Sequence, residues 1–264
     1  MNRQKFEKLK IWLNKYIDSF YCDDDYINAN IELKQTHTAR VCDEMLYLTN
    51  SLSFEPHQEI LAQAIALLHD IGRFEQFQKY RTYSDFRSIN HNELGLKIIA
   101  ENNLLGDINL RDKEIIEKAI EYHNLKEIPP QTDSQVELYS KLIRDADKLD
   151  IYRVVIEYYN QYINNPSSFR LQLELPDVPE YSSELVNSLI TGKRFDYKKL
   201  KSWNDMKLLQ LGWVYDMNFA ATLIRVKERK YIQTVADFLP NTEDIKNATQ
   251  IVLKFVDDQI VLLS

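Results

Sequence analysis

The sequence predicts an all-α fold, on two observations. Apolar residues recur at three- and four-residue spacing along most of the chain, and only five glycines and seven prolines interrupt 264 residues. Few strands are expected. The length suffices to bury a substantial core, and no internal repeat, low-complexity tract or composition shift marks a boundary. The chain therefore reads as one domain over 1–264.

A first amphipathic helix is expected from Lys5 to Phe20, ending at the acidic turn Cys22-Asp23-Asp24-Asp25. That run reads as solvated, because the spacing and glycine of a calcium loop are missing. A second helix is expected from Ile31 to Ser51, with Leu33, Val41, Met45 and Leu48 on one side and His37 on the same stripe. Pro56 at a first helical turn starts the third, with His57 exposed beside it. Its stripe of Leu61, Ala64, Ile65 and Leu68 delivers His69 and Asp70 before Gly72 breaks it.

Arg73 to Ser88, rich in Arg73, Gln76, Arg81, Tyr83 and Arg87, is expected to form a functional loop or lid. Asn90 followed by Glu93 reads as a helix cap, which puts His91 in the first turn of a helix running to Gly106. A further helix, about 111–124, ends on His123, and Pro129-Pro130 close that segment. A long helix from Ser134 to about Asn164 carries the stripe Val136, Ser140, Ile143, Asp147, Ile151 and Val154. Asp147 thus interrupts an apolar face, with Asp145 and Asp150 to its sides. The remainder, 165–264, reads as a helical C-terminal extension with helices near Ser182–Thr191, Trp203–Arg225 and Asp244–Leu262. Lys193, Arg194 and Trp203 are its candidate pocket-wall residues. The Trp203, Met206, Trp213, Met217 spacing itself suits core packing.

Composition excludes several function classes. A formal charge of −7 disfavours general nucleic-acid binding, which needs a basic face. Two separated cysteines argue for a reduced, cytoplasmic protein rather than a disulfide scaffold. No apolar run approaches the roughly 20 residues of a membrane span, and the charged N-terminus does not read as a signal peptide.

Four of the five histidines and two carboxylates then stand out: His37, His69, Asp70, His91, His123 and Asp147 all fall at ends or inner faces of separate helices. A carboxylate on a buried face needs a hydrogen-bonded partner or a metal ion. Facing helices can bring such positions to one centre. Each histidine taken singly reads equally well as a satisfied core or exposed residue.

The order His37, His69-Asp70, Asp147 resembles the motif of the HD-domain metal-dependent phosphohydrolases. The resemblance spans about 37–150 and implies a helical bundle, here with additional C-terminal helices, and phosphate-ester hydrolysis. His91 and His123 resemble the extra ligands of its two-metal branch, which includes cyclic nucleotide phosphodiesterases and the HD-GYP proteins. No Gly-Tyr-Pro triplet follows His123, and Asn124 stands where the HD-GYP proteins usually carry a second histidine. Nor does the acidic pair of guanosine tetraphosphate hydrolases follow the motif, since Arg73-Phe74-Glu75-Gln76 occupies its place.

The resemblance implies one or two divalent ions. His37, His69, Asp70 and Asp147 hold the first, and Asp70 bridges to a second on His91 and His123. This imidazole and carboxylate set suits Mn, Fe, Co, Ni or Zn better than calcium, with Mg also among the candidate ions. Asp70, Arg73, His91 and His123 are the candidate catalytic residues, with Arg73 contacting phosphoryl oxygens and Lys148, Arg81 or Arg87 as helpers. The expected partner is a small phosphorylated substrate, a nucleotide in the first instance. The alternative is a non-catalytic module that senses a metal or nucleotide.

Overall fold

The computed structural model describes residues 1–165, 175–193, 195 and 197–264, and among them every regular element is a helix. The chain divides into two compact units, Met1–Asp150 and Ile151–Ser264.

In the first unit, α1 (Arg3–Asp18) starts on the Asn2 side chain, and α2 (Asp25–Ser51) starts six residues earlier than the periodicity suggests. The acidic turn explains the difference: Asp24 accepts from the backbone N–H groups of Tyr26 and Ile27 and caps the helix. The exposed Arg81 guanidinium pairs with the same carboxylate at 2.9 Å. α3 (Pro56–Leu68) begins on proline and closes against α2, α6 (Leu110–Tyr122) and α1.

Gly72 does not break α3. The chain turns at His69-Asp70, and Gly72 lies inside a fresh helix, α4 (Ile71–Tyr80), where a long loop was expected. Its stripe of Ile71, Phe74 and Phe77 is fully buried, together with Gln76, whose polarity hides the pattern. The lid-like loop shrinks to 81–90. Gly72 instead lets α4 meet α5 (His91–Glu101): a Cβ there would lie 2.2 Å from the His91 carbonyl oxygen and 2.8 Å from the Gly95 nitrogen. Asn90 caps α5 through the N–H groups of Asn92 and Glu93, as expected.

α7 (Ser134–Asn164) matches its predicted span. Its first half buries Val136, Leu142, Ile143 and Leu149. Beyond residue 150 it buries Tyr152, Val155, Tyr158 and Tyr159 in the second unit.

That unit adds α8 (Ser183–Thr191), α9 (Trp203–Leu211), α10 (Ala220–Glu228), α11 (Tyr231–Asp237) and α12 (Glu243–Leu263). The single helix expected over Trp203–Arg225 is three pieces, because α9 stops at Gly212, a 3-10 turn follows, and the backbone is extended at Met217. Trp203 packs edge-on against Tyr158 and Tyr162, so it is a core residue of this unit. Lys193 is exposed beyond α8, and Arg194 lies outside the described residues.

Candidate metal centre

Six side chains, from α2, α5, α6 (Leu110–Tyr122) and α7 and from the turn between α3 and α4, meet inside the first unit. His37 comes from the middle of α2; His69 and Asp70 form the α3–α4 turn; His91 opens α5; His123 ends α6; Asp147 comes from α7. His37, His69, Asp70, His91 and His123 are buried. Asp147 is not: its side chain is 18% exposed, at the rim, whereas Asp145 and Asp150, expected at its sides, are the buried carboxylates of α7. Asp150 lies one helical turn further along the same face and reaches in behind His37.

All four imidazoles are fixed by their outer nitrogen. His37 Nδ1 donates to Asp150 Oδ2 at 2.7 Å, and His91 Nδ1 to Asp85 Oδ2 at 2.7 Å. His69 and His123 end their helices, so each Nδ1 folds back onto a carbonyl three residues earlier, Ala66 and Ile120, both at 2.8 Å. These acceptors hold each ring with its Nε2 turned inward, the nitrogen that is free to ligate a metal ion once it carries no proton.

Those nitrogens converge on Asp70. Its Oδ2 lies 3.5 Å from His37 Nε2 and 3.6 Å from His69 Nε2, and its Oδ1 lies 3.5 Å from His91 Nε2 and 3.9 Å from His123 Nε2. Asp147 Oδ1 stands 3.1 Å from His37 Nε2 and 3.7 Å from His69 Nε2. Two groups of metal-ligand type result, His37-His69-Asp70 and Asp70-His91-His123, with Asp70 in both. Among the described residues, neither His37 Nε2 nor His69 Nε2 makes a well-directed hydrogen bond despite full burial. His91 Nε2 and His123 Nε2 face each other at 3.2 Å, close enough to share a proton or to ligate one ion together. The donor set thus fits divalent transition ions, with acceptors behind every imidazole.

The electrostatics are uneven. Burial opposes the Asp70 charge, but Lys34, His69, His37 and Arg73 hold the carboxyl well below its ordinary range. Burial opposes Asp147 likewise and is overcome by His37 and His69. Burial and Lys34 disfavour a charged His37, yet Asp147, Asp150 and Asp70 outweigh them and raise it to about 10. His123 goes the other way, down to about 3, through burial and its neighbours His91 and His69. His91 is lowered by burial and Arg73.

Arg73 does not extend from a loop. From the first turn of α4 its Nη1 donates to the Tyr83 carbonyl at 2.6 Å, Gln76 Oε1 at 2.8 Å and Asp85 Oδ1 at 2.9 Å, while Nε lies 3.5 Å from Asp70 Oδ1. It braces the 81–90 segment against the cluster. Asp85 is the other half of that brace, since it also accepts from Gln76 at 2.8 Å and from Asn124 at 3.2 Å. Asn124 in turn accepts from Asn92 at 2.7 Å. Of the other candidate cations, Arg81 is committed to Asp24. His57, exposed and unassigned, pairs with Asp112 at 3.0 Å, away from the site residues.

Sequence reasoning missed Lys34, Arg40 and Asp85. Lys34 Nζ lies 2.6 Å from Asp70 Oδ2, and Arg40 grips both Asp150 oxygens through Nε and Nη2. Both stand three residues from His37 on α2, one on each side, so the helical period that singled out His37 also carries them.

Among known protein families the chain matches the HD domain over residues 35–152. Neither curated proteins nor solved structures gave a match. The matched span opens two residues before His37, closes two residues after Asp150, and contains every side chain of the cluster. Residues 35–152 are an HD domain, of the superfamily of metal-dependent phosphohydrolases.

Proposed function

We propose that this chain hydrolyses a nucleotide or another small phosphate ester with the help of one or two divalent ions held in the histidine cluster. One observation carries the reading: four imidazoles, each locked by its Nδ1, turn their Nε2 atoms onto a single buried carboxylate. His37, His69, Asp70 and Asp147 would hold one ion, and Asp70, His91 and His123 the other. When bound, such ions supply Lewis acidity and a lowered pKa for water at neutral pH.

The chain's own residues do the rest. Asp150 and Asp85 keep His37 and His91 oriented and make them better donors. The carbonyls of Ala66 and Ile120 hold His69 and His123 rigid without adding charge. The side chains of Lys34, Arg73 and Asp147 are 17%, 16% and 18% exposed, against 4% for Asp70, so they border the way in. Two of the three are cationic, which favours an anionic ester at the mouth. Arg73 serves there as fixed positive charge, because its brace to Asp85 prevents it from swinging.

A panel of nucleotides and aryl phosphate mono- and diesters, assayed with added Mn²⁺, tests this. Release of phosphate or nucleoside is expected, lost on chelation and lost in Asp70→Ala while circular dichroism still reports the helices. Turnover that survives Asp70→Ala overturns the reading, and nucleotide binding without turnover makes the domain a sensor instead.

A further inference from the structure

We propose that Lys34 is a built-in counter-cation of this centre, one that competes with a metal ion for a single oxygen of Asp70 and so sets how tightly the ion is held. The inference rests on the metal reading above and extends it to a residue outside the ligand set.

The geometry is specific. Lys34 Nζ lies 2.6 Å from Asp70 Oδ2, and that same oxygen is the one 3.5 Å from His37 Nε2 and 3.6 Å from His69 Nε2. An ion at about 2.0–2.2 Å from Oδ2 and from those two nitrogens would stand against the ammonium, and both positive charges would share one oxygen. Like charges a few ångströms apart in a poorly solvated site repel strongly. Ligation by Oδ2 and the lysine contact therefore oppose each other.

The surroundings allow exchange. Lys34 is partly exposed, and its ammonium is 5.4 Å from the Tyr83 ring centre, on a residue whose hydroxyl is tied to the Asn30 carbonyl at 2.8 Å. The aromatic face gives the displaced cation a second place to rest, beside the mouth. Arg73 has no such freedom, because its Nη1 is held by three acceptors in the 81–90 segment and α4. Without an ion, Lys34 keeps the buried Asp70 charge tolerable; with one, that duty passes to the metal.

Lys34→Met keeps the apolar stem and removes the charge, while Lys34→Arg keeps the charge with a forked, firmer grip on carboxylates. Isothermal titration of chelator-stripped protein with Mn²⁺, together with thermal melts of stripped and loaded protein, reads the effect without any assay of turnover. Lys34→Met is expected to bind Mn²⁺ about tenfold more tightly, the order expected when a unit charge beside a divalent ion is removed, and to melt lower than wild type only when stripped. Lys34→Arg is expected to shift both readings in the opposite direction. If Lys34→Met fails to fold, the Lys34→Arg pair of readings still decides. Wild type that takes up no Mn²⁺ sinks the metal reading itself. Wild type that binds Mn²⁺ with Lys34→Met equal or weaker sinks only the role of Lys34.

Discussion

In the His37 and His69 half of the cluster, one imidazole is backed by a carboxylate, Asp150, and the other by a carbonyl, Ala66; in the His91 and His123 half, Asp85 and Ile120 take the same parts. The halves share Asp70 and differ in what surrounds it. The first half adds Asp147 in front, with Lys34 and Arg40 as counter-charges. Among the described residues, the second half adds no carboxylate in front of its histidines, and Arg73 stands beside it. His37 is accordingly raised to about 10, whereas burial and neighbouring imidazoles depress His123 to about 3. The same plan of imidazoles thus sits in two different fields: Asp147, Asp150 and Asp70 face His37, whereas His123 is crowded by His91 and His69.

Removing one histidine from each half should break this comparison most visibly. Metal content of protein purified without chelator is expected to be about two equivalents per chain, as in paired-ion hydrolytic sites. His91→Ala or His123→Ala is expected to leave about one equivalent, resistant to brief chelation. His37→Ala should remove the tightly held ion and leave a content that falls on dialysis. Equal losses from both halves would show that the asymmetry of charge does not govern binding, and an unchanged content in His91→Ala would remove the second site.

A smaller effect is expected from Asp85→Asn, which keeps the shape and one acceptor oxygen but loses the charge behind His91. Replacing an outer partner of a ligand typically weakens metal binding by about 10- to 100-fold, and here the loss should fall on the second half alone. The side chain also accepts from Arg73 and Gln76, so the 81–90 segment should become more open to proteolysis. Titration with Mn²⁺ separates these effects: two affinities in wild type, with only the weaker one displaced in Asp85→Asn.

The same comparison shows what was legible in the sequence. His37, His69, Asp70, His91 and His123 announced themselves because each occupies an apolar stripe or a helix end, and periodicity reports such conflicts directly. The helices α3, α5, α6 and α7 were legible for the same reason, helped by Pro56 and the Asn90 cap. α4 was hidden because Gly72 and Gln76, both buried, read as polar or breaking positions, so a helix passed for a loop. Gly72 is there for close approach to α5, a requirement set by a helix twenty residues away in sequence that no local pattern reveals. Asp85 and Lys34 were missed for a related reason. A carboxylate in a polar loop and a lysine on a helix look solvated until tertiary structure puts His91 and Asp70 beside them.

The finest test of the two halves is the pH dependence of chelator-stripped protein, where their histidines should act in opposite directions. His37 carries a proton in the folded protein up to about pH 10, while an unfolded histidine releases it near 6.5. Its contribution to stability is therefore complete below 6.5 and is lost as pH rises toward 10. His123 stays neutral when folded down to about pH 3, while the unfolded chain takes up a proton near 6.5. Its contribution is complete above 6.5 and is lost as pH falls through that value toward 3. His91, also lowered, adds to the second limb. The Asp70 and Asp147 carboxyls, held well below their ordinary 3.8, lose their share only below that value, so the window between 6.5 and 3.8 belongs to the histidines. Melting temperature is thus expected to peak near pH 6.5, with a limiting slope of about one proton for each histidine on either side. His123→Gln should flatten the acid limb and His37→Gln the alkaline one. If both substitutions flatten the same limb, the two halves carry the same charge bias, and the uneven field around Asp70 is not what distinguishes them.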